Sequence, residues 1–236
     1  MTSKPESYGN HLLDLLPRSV SGRLSAETEI VQLVTGTVLR APGQVARHVY
    51  FPLNCTISLL NLTQDGSTTE VAAIGNEGLL GVPVILGGGS AVNQAAVTMA
   101  GQARRVDSAL FAAELENCTK TRAIMLRYVQ ILLTQVAQNA VCLRRHGIEQ
   151  RLARCLLHAN DRALSETLLV THDLLSNALG VRREAVTHAV HRLHEAGLIE
   201  NHRARIQVLE RERLAANACE CYDAVQAEYQ RLLGPD

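Results

Sequence analysis

Residues 171–200 read THDLLSNALGVRREAVTHAVHRLHEAGLIE, and this stretch decides the architecture of the C-terminal part. Thr171 is an apt N-cap for the segment HDLLSNAL, because its hydroxyl can accept from a free backbone N–H of the first helical turn. Leu174, Leu175, Ala178 and Leu179 fall on one helical face. Gly180 follows where a tight turn needs a left-handed residue. A second helix is predicted over about 182–196, with Val186, Ala189, Val190 and Leu193 facing inward and Gly197 ending it. Then LIENHRARIQVLE predicts two short strands around Arg203-Ala204-Arg205, as in a winged helix-turn-helix.

The outward face of the second helix carries Arg182, Arg183, Glu184, Thr187, His188, His191 and Arg192. The start of such a helix is the end that enters a major groove. Arg183 can fork onto guanine O6 and N7, and Glu184 can accept from cytosine N4. A carboxylate is costly beside phosphates, so Glu184 makes sense as a base reader. His188 lies one turn further on and can reach a base edge or a phosphate. Thr171 and His172 stand at a helix N-terminus, which suits a phosphate. Arg203 and Arg205 are expected phosphate contacts from the wing. A run of helix charge is usually an ordinary solvated face. Here the capped helix, glycine turn, second helix and wing occur together, which favours DNA.

Upstream, IEQRLARCLLHANDRAL reads as an amphipathic helix with Ile148, Leu152, Cys155 and Leu156 on one face, and a last helix is expected over roughly 211–233. Residues 117–147 have no internal Gly or Pro before Gly147. Ile124, Tyr128, Ile131, Leu132, Gln135, Val136 and Leu143 recur there at helical spacing, predicting a dimerisation helix about 40 Å long. Arg144, Arg145 and His146 suit its negative end, and Gly147 is a candidate C-cap. From about 24 to 110 the chain reads as short Val-, Ile- and Thr-rich strands. They are separated by turn signals such as Pro42-Gly43, the hairpin-like Asp65-Gly66, Gly75-Asn76 and Gly87-Gly88-Gly89, which together suggest an antiparallel roll or barrel.

The bulk numbers bound the class. At 236 residues and 47% hydrophobic, the chain can bury a sizeable core across two domains. Its formal net charge of zero argues against a general polycation but not against a local DNA-binding face. Lys4 and Lys120 are its lysines; the remaining positive charge is Arg, the residue that makes bidentate contacts to phosphate and guanine. No run of about 18 apolar residues exists and no signal peptide is apparent, so a cytoplasmic protein without membrane contact is expected. The six cysteines should then be reduced thiols.

The segments LLSNALGVRREAVTHAVHRLHEAGLIE and RIQVLERERL resemble the Crp/Fnr superfamily of bacterial regulators, and the likeness extends less sharply over the whole chain. It implies an α+β fold: a cyclic-nucleotide-binding-like β-roll over 1–116, a dimerisation helix over 117–147 and a winged helix-turn-helix over 148–236. It implies a homodimer on a palindromic operator of double-stranded DNA, with RNA polymerase as a partner, and no enzyme activity. Arg183 and Glu184 match the family's recognition-helix pattern, while His188 stands where many members carry Arg.

The resemblance also brings an expectation about the signal. The family's nucleotide pocket uses a Gly-Glu pair, then an Arg-Ser or Arg-Thr pair. Here Gly81 is kept, Val82 replaces the Glu, and Asn93-Gln94 replace the Arg pair. Without the Arg, a cyclic phosphate loses a charge-assisted bond worth about 1.5–3 kcal/mol. Independence of cyclic AMP is therefore expected, with the ligand unknown and Arg104 and Arg105 as a loophole for an atypical pocket. No cysteine precedes Cys55, so no iron–sulfur cluster is expected. Cys219 and Cys221 form a C-x-C pair that could touch a metal or an oxidant, although packing is the favoured role, and the single histidines His11 and His48 read as structural rather than haem ligands. A cupin-type metalloenzyme is the remote alternative; His48 alone does not supply its ligand set.

Overall fold

A computed structural model describes residues 7–64, 68–163 and 167–234. In chain order the elements are α1 (His11–Leu15), α2 (Arg18–Ala26), β1 (Glu29–Leu33), β2 (Val38–Arg40), β3 (His48–Pro52), β4 (Thr56–Leu62), β5 (Thr68–Ile74), α3 (Val82–Ile85), β6 (Gln94–Met99), β7 (Gly101–Asp107), α4 (Ser108–Asn117) and α5 (Thr119–Arg145). There follow α6 (Ile148–Arg162), β8 (Thr167–Leu168), α7 (His172–Leu179), α8 (Arg183–Glu195), β9 (Ile199–His202), β10 (Arg205–Val208), α9 (Arg211–Asn217) and α10 (Cys221–Leu233). The chain divides into two compact units, Met1–Ile57 with Ile74–Val129 and Ser58–Ala73 with Gln130–Asp236. The expected Asp65-Gly66 turn lies outside the described residues. Among the described residues no helix is long and apolar enough to cross a membrane.

The first unit is built on antiparallel pairs. β7 lies between β1 and β3, in register Glu29↔Arg105 and His48↔Asp107, and β2 pairs β6 with an irregularity between Val38 and Arg40. Val49 and Phe51 of β3 are fully buried, and Phe51 meets Phe111 of α4 edge-on at 5.8 Å. Asp107 caps α4 by accepting from the Ala109 and Leu110 N–H groups. Buried Asn10 caps α1 and also donates to the Pro52 and Gly78 carbonyls, both at 2.9 Å. These short N-terminal helices escape a periodicity reading because each spans too few turns to show one.

The second unit carries the winged helix-turn-helix. α6, α7 and α8 enclose a core that includes Leu152, Leu156, Leu175, Leu179, Val186, Val190 and Leu193, closed by Ile199 and Ile206 of the antiparallel sheet β8-β10-β9. Within the same unit, Gln135 and Asn139 of α5 donate their side-chain amides to the Ala73 and Val71 carbonyls of β5, at 3.2 and 2.9 Å. Arg162 of α6 donates to the Ala73 carbonyl as well, at 3.0 Å.

Three sequence expectations need correction. Ile124, Tyr128 and Ile131 are buried within their own chain, so they are core rather than a dimer surface. The Tyr128 hydroxyl donates to the Leu79 carbonyl at 3.0 Å, and a Cβ at Gly78 would lie 2.5 Å from its oxygen, so glycine there makes room for the ring. Gln135 spends its amide on β5, and Leu132 is half-buried. The large apolar residues exposed on the second-unit part of α5 are Leu133, Val136, Val141 and Leu143. Gly147 is extended, at φ −65° and ψ 159°, and starts α6 instead of ending α5. The expected single helix over 211–233 breaks at Ala218, whose ψ is 160°. Residues two apart on a helix point away from each other, and the break lets Cys219 and Cys221 both turn inward.

Candidate nucleic-acid interface

The helix-turn-helix is held by local chemistry. The Thr171 hydroxyl accepts from the Leu174 N–H at 3.2 Å. Gly180 adopts φ 59° and ψ 42°, the left-handed region that costs a side-chain-bearing residue energy, and the Val181 N–H then reaches the Ser176 carbonyl at 3.1 Å. The chain leaves this turn through Arg182 and enters α8.

Burial sorts α8 as its period requires. Val186, Ala189 and Val190 are fully buried and Leu193 nearly so. On the opposite side Arg182, Arg183, Glu184, Thr187, His188, His191 and Arg192 are exposed. The wing turns at Ala204, the one non-glycine positive φ (58°) among the described residues, and leaves Arg203 and Arg205 exposed at its tip. The structure thus brings Arg182, Arg183, Glu184, Thr187 and His188 onto one helix face and puts Arg203 and Arg205 on the wing.

These side chains are not equally free. Arg183 Nε lies 3.3 Å from Asp173 Oδ1 on α7, and Arg192 Nη2 lies 2.5 Å from Glu149 Oε1 on α6. Thr187 donates its hydroxyl to the Arg183 carbonyl at 3.1 Å, so His172 Nδ1, 3.0 Å from the same oxygen, is the donor to it. His172 and Thr171 are half-buried. His191 pairs with Glu195, one turn away, at 3.1 Å. Arg182, Arg203 and Arg205 have no ion-pair partner among the described residues and present their full charge to solvent. Sequence reasoning missed the acidic partners Asp173 and Glu149; an Asp in the first turn of α7 was the available signal for the first of them.

Residues 150–216 match the family model described as the Crp-like helix-turn-helix domain. The chain also shares its fold with FixK2 from Bradyrhizobium japonicum, at TM-score 0.71 and 17% identity over 81% of this chain and 98% of that one. The same holds for the CRP-family transcriptional regulator TTHB099 from Thermus thermophilus, at 0.64 and 20% over 80% and 96%. The chain carries a Crp-like helix-turn-helix domain and shares the fold of these regulators. A further structure with this fold is the c-di-GMP responsive global regulator CLP of Xanthomonas campestris, at 0.62 and 16% over 81% and 99%. No curated protein sequence matches the chain.

The first unit contains a recess of about 100 Å³ lined by residues that include Arg40, Ala46, Arg47, His48, Tyr50 and Gly81. Arg40 is 5% exposed and donates through Nη2 to Asn93 Oδ1 at 2.6 Å, while its buried Nε has no partner. Burial pushes the Arg40 pKa down, although the guanidinium stays charged at any ordinary pH. Arg104 and Arg105, the expected loophole, are committed elsewhere. Arg104 binds the Tyr8 carbonyl and the Ser25 and Thr28 hydroxyls, and Arg105 pairs with Glu29 at 2.5 Å. The positive charge at this recess comes from Arg40 of β2 and from Arg47, positions that motif reading does not inspect.

Proposed function

We propose that this protein is a Crp/Fnr-type regulator that controls transcription by binding a palindromic DNA operator as a homodimer, without dependence on cyclic AMP and without enzymatic activity. The observation that carries the reading is the polar outer face of α8 beside a wing with two unpaired arginines, within a matched Crp-like domain. Arg183 and Glu184 read bases, with His188 next to them. Arg182, Arg203 and Arg205 hold phosphates, joined by His172 and Thr171 at the start of α7. Arg192 braces α8 against α6 through Glu149 and reaches DNA only by giving up that pair.

Dimerisation is assigned to a corrected face of α5. Leu133, Val136, Ala140 and Leu143 are all exposed and follow one another at spacings of three, four and three, the seam of a two-stranded coiled coil. RNA polymerase is the partner that this mode of regulation requires. Cyclic AMP independence rests on Val82 in place of the family's Glu, and on an Asn93 side chain already engaged by Arg40.

Selection of bound sites from random DNA tests the reading. A palindrome with half-sites about one helical turn apart is expected. Equal affinity for operator and random DNA at about 150 mM salt sinks it.

A second reading is favoured by the orphaned Arg40 Nε: the roll responds to a small anion. The recess is well below the roughly 300–1,000 Å³ of drug-sized ligand sites, so the ligand would be smaller than a nucleotide. A thermal-shift screen of small anions, with Arg40→Met as the control, separates this from a regulator governed only by its abundance. A shift that survives Arg40→Met rejects the second reading.

A further inference from the structure

Four side chains outside the DNA-reading surface converge at the junction of α9 and α10. Cys142 and His146 lie one helical turn apart at the end of α5, on the same face. Cys219 and Cys221 flank Glu220 at the break that precedes α10. The three Sγ atoms and an imidazole nitrogen all lie within 4.8 Å of one another. Cys142 Sγ is 3.5 Å from Cys219 Sγ, and Cys221 Sγ is 3.4 Å from His146 Nδ1.

We propose that Cys142, His146, Cys219 and Cys221 bind one zinc ion. Zinc takes thiolates at about 2.3 Å and imidazole nitrogen at about 2.0–2.1 Å in a tetrahedron, whose ligand-to-ligand edges are then about 3.5–3.8 Å. The Cys142–Cys219 and Cys221–His146 pairs already stand near those edges. A multi-iron cluster holds its cysteines further apart than this group allows. Hard oxygen-seeking ions such as magnesium or calcium do not choose three sulfurs and an imidazole.

The surroundings fit the ion as well. The other ring nitrogen of His146, Nε2, lies 3.1 Å from Glu220 Oε1. A carboxylate in that place fixes the tautomer that leaves Nδ1 free to coordinate. The Gln138 side-chain amide donates to Cys221 Sγ at 3.0 Å, as to a thiolate. Binding converts three thiols to thiolates and releases three protons, leaving a net charge of −1 on the centre. Arg151 and Arg154 of α6 are near enough for their charges to act on Cys142. With four protein ligands and three of them buried, the site is closed, as structural zinc sites are. It would tie the start of α10 to the end of α5, two segments that sequence separates by 77 positions. The proposal does not depend on the DNA-binding reading.

Elemental mass spectrometry on the untagged full-length protein, purified under reductant and passed over a chelating resin, tests it. One zinc per chain is expected. Cys221→Ser and His146→Ala should each lose the zinc, whereas Cys118→Ser, outside the cluster, should keep it. Because a ligand variant could fail to fold, cobalt exchange into the wild type supplies the second readout. A tetrahedral ligand-field spectrum with thiolate-to-cobalt charge transfer is expected. A wild type that neither retains zinc, nor takes it up from a zinc buffer, nor gives that spectrum overturns the proposal. So does a Cys142–Cys219 disulfide in the freshly purified metal-free protein, which would make the cluster a redox pair.

Discussion

Arg183, in the first turn of α8, is tied to Asp173, in the first turn of α7, by an ion pair of 3.3 Å between Nε and Oδ1. Both side chains are mostly exposed, so the pair is worth only about 0–1 kcal/mol and DNA can outcompete it. The carboxylate nevertheless opposes DNA twice, by holding Arg183 and by repelling phosphate. Asp173→Asn should tighten operator binding by up to roughly five-fold, the equivalent of about 1 kcal/mol. Fluorescence anisotropy at low salt measures this, and unchanged or weaker binding rules out the competition.

Arg183 and Arg203 should fail differently when removed. Arg183→Ala should cost about 1–3 kcal/mol on the operator and relax preference at one base pair per half-site. Arg203→Ala should weaken operator and random DNA alike and lower the salt slope by about one per protomer. Titrations over several salt concentrations distinguish the two. Identical behaviour of the variants would contradict the division between base reader and phosphate contact.

The corrected face of α5 makes a sharper prediction than the original one. Leu133 is 64% exposed, so Leu133→Glu should leave the fold nearly as stable while shifting the dimer to monomer in sedimentation velocity. A dimer that persists in Leu133→Glu places the interface elsewhere.

An acid-sensitive pair sits in the first unit. Arg23 grips Glu114 through two hydrogen bonds of 2.8 and 2.7 Å and holds its carboxyl below the usual carboxylate range. A lowered folded pKa means that the unfolded chain takes up the proton first as pH falls. The stabilisation is therefore complete above the ordinary carboxylate value, about 4.3, and is lost as pH falls through the lowered folded value. Arg23→Met should reduce the melting temperature at neutral pH and flatten its decline on acidification. Parallel wild-type and variant curves would show that the pair has no such role.

Much of the DNA-reading half was legible because its signals are local. A threonine cap, a 3.6-residue apolar period, a glycine at the left-handed turn and two short strands each specify their own backbone. The structure buries the very residues, Val186, Ala189, Val190 and Leu193, that the period selects. The other outcomes depended on which elements meet. α5 carries apolar residues on more than one side, and periodicity alone cannot say which side faces its own chain. Packing assigned Ile124, Tyr128 and Ile131 inward and left Leu133, Val136 and Leu143 outside. Charge pairs such as Arg183–Asp173 and Arg192–Glu149 join separate helices and leave no trace in spacing.

The two halves of the cysteine–histidine cluster show where this boundary lies. The C-x-C pair was visible in the sequence and read as packing, because two sulfurs two residues apart make no site by themselves. Folding brought Cys142 and His146 to it across 77 positions. Sequence by itself determined the helix-turn-helix, whose information is carried within each turn of chain. Only tertiary structure decided the faces, the pairs and the cluster, because those depend on distances between segments that local dihedral preferences do not set.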